Sequence, residues 1–230
     1  MRCTSRIPRL AIMMLCVAVA GCETFLREPG EVSMPAPKAE PPAKPLRAEP
    51  PAGVPVKAEP PVSAESRQLY RQALAALGAG RYPEAERALL AVMHREPELA
   101  GPHANLGILY ARTGRAAQAL ESLQQAIRLN PDRAVYYNEL GMLSRREGRF
   151  DEARRNYAKA LDLDPDYAYA HLNIGILYDL YLQDTAKAMQ HYQRYRELTP
   201  GEAGTVTKWI ADLQQRDRAA DQAKKGGKSG

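Results

Sequence analysis

Apolar positions recur at helical spacing through most of the chain after Ala64, and they come as paired stripes. One pair is Leu106, Leu109 and Tyr110, followed by Leu120, Leu123 and Ile127. Small residues punctuate the stripes at a fixed interval. Gly80, Gly114 and Gly148 are 34 residues apart. Gly107, Gly141 and Gly175 keep the same spacing, with Ala73 one period before them. Ala85, Ala119 and Ala153 repeat at 34 residues and Ala188 follows at 35; Pro97, Pro131, Pro165 and Pro200 do the same. The pattern predicts four units over 64–201, each a helix A, a turn and a helix B, and the fold class is all-α.

Each residue type has a physical task in such a unit. Gly107, Gly141 and Gly175 fall where helix A must pass close to helix B, with Ala119, Ala153 and Ala188 opposite. Gly114 and Gly148 fall where helix A ends and a left-handed residue is favoured. The prolines stand between units and stop helix B. One unit cannot bury its apolar face alone, so stacked neighbours must supply the rest of the core. The fourth unit has no turn glycine and holds one extra residue within 179–184. A longer turn is expected there, with Asp184 capping the next helix. Val206, Trp209, Ile210 and Leu213 form one further apolar stripe, with Lys208, Asp212 and Gln214 opposite. This predicts a capping helix over 202–218. Residues 219–230, with Lys224, Lys225 and Lys228, read as a disordered basic tail.

Composition shifts sharply before the repeats. Eleven of the 18 prolines lie between Glu28 and Val62. The stretch repeats a basic residue followed by Ala-Glu-Pro-Pro, beginning at Lys38, Arg47 and Lys57. Almost nothing in it could build a core, so an extended Pro-rich linker is expected. Such a segment of forty residues reaches on the order of 100 Å. Ahead of it, Arg2, Arg6 and Arg9 precede an apolar run from Leu10 to Ala20, and Val19-Ala20-Gly21-Cys22 closes it. That run is about half of the roughly 20 residues needed to cross a bilayer. The net charge is +5, and three of those charges are the early arginines. The remainder alternate in sign along the helical segments, which argues against a nucleic-acid partner.

Two resemblances follow from these residues. The segment ending in Cys22 resembles a bacterial lipoprotein signal. It implies cleavage after residue 21, a diacylglycerol on Cys22, and no other cofactor. Glu23 beside it points, by the same likeness, to the periplasmic face of the outer membrane. The mature chain would then start with a linker over 22–63 and keep no thiol for a disulfide. The periodic part resembles the tetratricopeptide repeat, most fully in Asn105-Leu106-Gly107-x-x-Tyr110, Ala119, Leu123, Ala126 and Pro131. It implies a right-handed superhelix whose concave groove is lined by A helices and takes a protein or peptide partner. The groove candidates so implied are Asn105, Ile108, Arg112, Asn138, Met142, Arg145, Tyr169, Leu172, Asn173 and Ile176.

No catalytic arrangement is legible. His103 and His171 share a repeat position, which packing at the start of helix A explains better than a metal. No histidine or cysteine spacing suits zinc, and no phosphate loop is present. An enzyme is therefore not expected, and no metal site is expected. The leading reading is a membrane-anchored scaffold that binds protein and assists assembly of an envelope complex such as a pilus or secretin. Two others stay open. One is an accessory of a peptidoglycan-associated or energy-transducing complex that uses the Pro-rich segment as its contact. The other is a homodimer or larger homo-oligomer with a structural role.

Overall fold

A computed structural model describes residues 62–226. Cys22, the expected signal segment 1–21 and most of the expected linker lie outside the described residues. Among the described residues there are nine helices and no strand. The four units are α1 (Ala64–Gly78) with α2 (Tyr82–Arg95), α3 (Ala100–Arg112) with α4 (Ala116–Leu129), α5 (Ala134–Arg146) with α6 (Phe150–Leu163), and α7 (Ala168–Leu180) with α8 (Thr185–Leu198). The ninth, α9 (Gly204–Gly226), packs on α8. No described helix is long and apolar enough to cross a membrane.

The close approach inside each unit follows from the second glycine series. A Cβ on Gly107 would stand 2.6 Å from Leu123 Cγ, and one on Gly141 would stand 2.6 Å from Tyr157 Cε1. On Gly175 it would meet Tyr192 Cδ1 at 2.7 Å. Each glycine lets one large B-helix side chain lie flat against the A helix. Leu89, Leu123, Tyr157 and Tyr192 occupy this place in successive units, and all are buried. Ala85, Ala119, Ala153 and Ala188 are buried beside them.

The turns carry the expected left-handed residue. Gly114 and Gly148 have φ of 77° and 73°. In the fourth unit the extra residue lengthens the turn, and Gln183 takes the left-handed place with φ of 53°. Asp184 caps α8 by accepting from the Lys187 amide at 3.0 Å. Ser63 caps α1 in the same way through the Ser66 amide.

Stacking of the units sets the curvature. Successive A helices touch, α1 with α3, α3 with α5 and α5 with α7, whereas no two of the B helices approach each other. The array therefore closes on the A side and opens on the B side, so A helices line the concave face. Salt bridges tie the outer edge, the best formed being Arg115 to Glu86 with two bonds of 2.9 Å. The guanidinium beside Glu86 holds its carboxyl below the usual range.

One difference from expectation lies at the C-terminus. The helix does not stop near 218 but runs to Gly226. Apart from Asp221, the stretch from Arg218 to Lys225 holds only alanine, lysine, glutamine and arginine, all strong helix formers, and it has no glycine or proline. Residues 227–230 lie outside the described residues.

Candidate concave binding surface

The floor of the concave face is built from two adjacent repeat positions of the A helices. Tyr70, Ala104, Asn138 and Leu172 are equivalent residues on α1, α3, α5 and α7, each 34 apart. The floor is polar in the middle. Asn105, on α3, is only 1 % exposed. Its Nδ2 donates to Tyr70 Oη at 2.7 Å and to the Gly101 carbonyl at 3.0 Å. Its Oδ1 is buried with no hydrogen-bond donor in reach. Two units on, Asn173 Nδ2 donates to Asn138 Oδ1 at 2.9 Å, and Asn138 Nδ2 lies 3.7 Å from Met142 Sδ. This spare acceptor is covered, so a donor from outside, such as a peptide N–H, reaches it only where the floor opens to admit it.

The apolar candidates sit beside this row. Ile108 and Met142 are buried, exposing only their edges. Arg112 is half-buried at the rim, and Arg146 on the next unit is exposed there, its Nη1 donating to the Ala111 carbonyl at 3.1 Å. Arg145 is not a rim residue. It is buried, with Nε donating at 3.4 Å to Oη of Tyr157, the tyrosine that lies against Gly141.

The fourth unit departs from the open groove that its sequence position implies. Leu172 and Ile176 are buried in one cluster with Val206, Trp209, Ile210 and Leu213 of α9. Tyr169 Oη donates to Glu202, in the segment leading to α9, at 3.4 Å. Leu172 and Ile176 are thus the seat of the capping helix. The apolar stripe of α9 was legible in sequence, but what it covers was not, because helix length and periodicity do not give packing direction. The apolar floor is therefore open only in the first three units, with Asn173 at its covered end. Tyr70 belongs to it and escaped the candidate list, although the 34-residue interval from Ala104 marks it.

The histidines lie away from this face's floor. His103 Nε2 lies 3.3 Å from the Pro97 carbonyl and His171 Nε2 lies 3.0 Å from that of Pro165, the same contact two units apart. The structure adds a neighbour for His171 that spacing did not show, His191 of α8, at 3.0 Å. They border an open pocket of about 420 Å³ with Asp166, Arg194 and Glu197. Among the described residues no group of three or more His, Cys, Asp or Glu side chains is placed to hold a metal ion.

Three tetratricopeptide-repeat family models match the chain, over residues 70–134 and 104–154, 144–180, and 169–201. Together they cover 70–201, more than half of its length, and the chain belongs to that family. Solved structures share the fold. PilF of Pseudomonas aeruginosa superposes with a TM-score of 0.62 at 22% identity, over 70% of this chain and 73% of that one. A thermophilic repeat protein of Thermus thermophilus gives 0.58 at 23%, over 66% and 82%. A mutant O-GlcNAc transferase of Thermobaculum terrenum gives 0.55 at 25% identity, over 58% of this chain. This chain spans only 26% of that transferase chain. No curated protein matches the chain by sequence.

Proposed function

We propose that this tetratricopeptide-repeat chain is a lipid-anchored scaffold of a bacterial envelope that holds an extended segment of another protein across the floor of its first three units. The repeat fold is an interaction scaffold. The observation that carries the reading is the Asn105 side chain, buried yet with an acceptor left over. An unsatisfied buried amide oxygen costs roughly 1–3 kcal/mol, so the floor gains if a bound segment opens it and supplies a backbone N–H. The equivalent pair, Asn138 with Asn173, lies two units further along, where the path meets the covered fourth unit. Arg112 and Arg146 at the rim favour acidic residues in that segment.

Anchoring rests on the sequence before the array. The basic residues, the short apolar run and Cys22 support a lipidated N-terminus at the periplasmic face of the outer membrane. The Pro-rich stretch then supplies reach. Assistance to assembly of a pilus or secretin is the envelope task such a tethered scaffold suits.

The test is capture from solubilised native membranes by the full chain. Asn105→Ala, and a second variant with Arg112→Glu and Arg146→Glu, should both lose the captured partner while Lys159→Glu on the outer face keeps it. Retention by both groove variants, with their helical content intact, would overturn the groove reading. Cys22→Ser should release the protein from membranes and abolish labelling by palmitate; a wild-type chain that takes up no palmitate would overturn the anchor.

A further inference from the structure

His171 and His191 meet from different helices, one at the start of α7 and one in the middle of α8, with their Nδ1 atoms 3.0 Å apart. The repeat explains one of them. His103 makes with the Pro97 carbonyl the contact that His171 makes with that of Pro165, so packing at the start of helix A accounts for this position. It does not account for His191. The same repeat position holds Ser122 in the second unit and Asn156 in the third. Of the four units, only the last brings two imidazoles together.

The spacing of the pair is that of two neighbouring metal ligands. Imidazole nitrogens bound to one divalent ion at about 2.0–2.1 Å stand about 2.9 Å apart at a right angle and about 3.3 Å apart at the tetrahedral angle. The observed 3.0 Å is nearer the right angle of a tetragonal site. His171 Nε2 is tied to the Pro165 carbonyl at 3.0 Å. A carbonyl takes only a donor, so the lone pair of this neutral ring is on Nδ1, toward His191. The rings face nearly end to end, and each must swing aside for both lone pairs to reach one ion. The last torsion of histidine is broad, and the open pocket beside the pair gives the room. Arg194 lines that pocket, but it is bonded to Asp166 at 2.6 Å and to Glu197 at 2.8 Å. These three charges sum to one negative, which favours a cation.

We propose that His171 and His191 together bind one divalent transition-metal ion, copper(II) most tightly and zinc more weakly. Imidazole suits both ions, two nitrogens at a right angle suit copper, and copper binds most tightly in the divalent series. The ion replaces the hydrogen bond between the rings. It takes the Nδ1 lone pair of each, and the Nδ1 proton of His191 passes to Nε2 of the same ring. No third His, Cys, Asp or Glu among the described residues is placed to join the pair, so water fills the other positions. Such a site exchanges its ion readily and keeps positions open to a group from another molecule. It lies away from the concave floor and does not depend on the groove reading. The bound ion would tie α7 to α8 and stiffen the unit on which α9 is seated.

The test uses the full chain, stripped of metal by a chelator, with copper(II) chloride as the probe. One equivalent of copper should give an electron paramagnetic resonance spectrum split by two nitrogens and should raise the melting temperature by several degrees, since the ion binds the folded state. His171→Gln and His191→Gln should each weaken copper binding by at least about tenfold and reduce the splitting to one nitrogen. His103→Gln, at the matching position without a second imidazole, should change neither. Equal copper affinity in wild type and His191→Gln would overturn the site. If the glutamine variants lose helical content, the wild-type spectrum decides: two nitrogens support the site, and one nitrogen or none overturns it. Zinc chloride should bind more weakly than copper, and tighter binding of zinc would overturn the tetragonal assignment.

Discussion

His171 and His191 face each other across the fourth unit with 3.0 Å between their Nδ1 atoms. Their ring centroids are 5.2 Å apart, so the nitrogens meet near the line of centres and one proton joins them. The Pro165 carbonyl can only accept, which assigns the neutral His171 proton to Nε2 and makes His191 the Nδ1 donor. Protonating both rings would place two cations in contact.

This pair makes stability depend on pH in a stated direction. Burial pushes both rings below the ordinary histidine range; Arg194 adds to this at His171, and His171 adds to it at His191, which falls to about 4. Asp166 and Asp164 near His171 act the other way. Histidine in the unfolded chain titrates at about 6.5, so below that the unfolded state binds more protons than the folded one. The contribution is whole above about pH 6.5 and is lost as pH falls toward about 4. Because the pair is half-open to solvent, the loss is on the order of 1–2 kcal/mol. His191→Gln should flatten this part of the melting curve against pH, and a slope equal to that of wild type would refute it. Glu86 and Asp184, whose carboxyls are held low, act in both proteins alike and drop out of the comparison.

Gly141→Ala should destabilise the array. The new methyl would stand 2.6 Å from Tyr157 Cε1, and the tyrosine is fully buried with no room to retreat. Overpacking of this kind costs about 1–3 kcal/mol. Urea denaturation should show it; a cost below about half a kcal/mol would mean that the helix pair spreads freely.

Gln183→Gly should act in the opposite sense. Gln183 has φ of 53°, a region that is strained for side chains other than glycine. Glycine there is expected to raise stability by about 0.5–1 kcal/mol, less the entropy it returns to the unfolded chain. The matching loss should appear with Gly114→Ala, where φ is 77°. Measuring both by thermal unfolding checks the turn assignment, and a destabilising Gln183→Gly would refute it.

Trp209→Ala should loosen the end of the stack. The indole packs on the Tyr192 ring at 5.5 Å between centroids and covers the cluster holding Leu172 and Ile176. Truncating a buried aromatic costs about 3–5 kcal/mol. Amide exchange should quicken first in α8 and α9, leaving α3 and α4 protected, because each unit leans only on its neighbours. Uniform quickening along the array would contradict that picture.

The unit count, the close-packed glycines, the left-handed turns and the capping role of Asp184 are all legible in the residue order. These are local or nearest-neighbour requirements, and a fixed 34-residue period repeats them until they stand out from any single residue's variation. The apolar stripe of α9 is legible in the same way. Which groove positions remain open is a matter of packing in three dimensions. Leu172 and Ile176 carry the same repeat positions as the open floor, yet they are covered because α9 returns over them. Arg145 and Asp179 look like solvent-facing charges in the chain and become buried only in space, where Asp179 meets the exposed Arg216 of α9. His171 and His191 are 20 residues apart on different helices, a separation that no periodic pattern encodes. Periodicity fixes what each unit must do for itself; where a non-repeating helix lands, and which long side chains then meet, depends on packing summed over the whole stack.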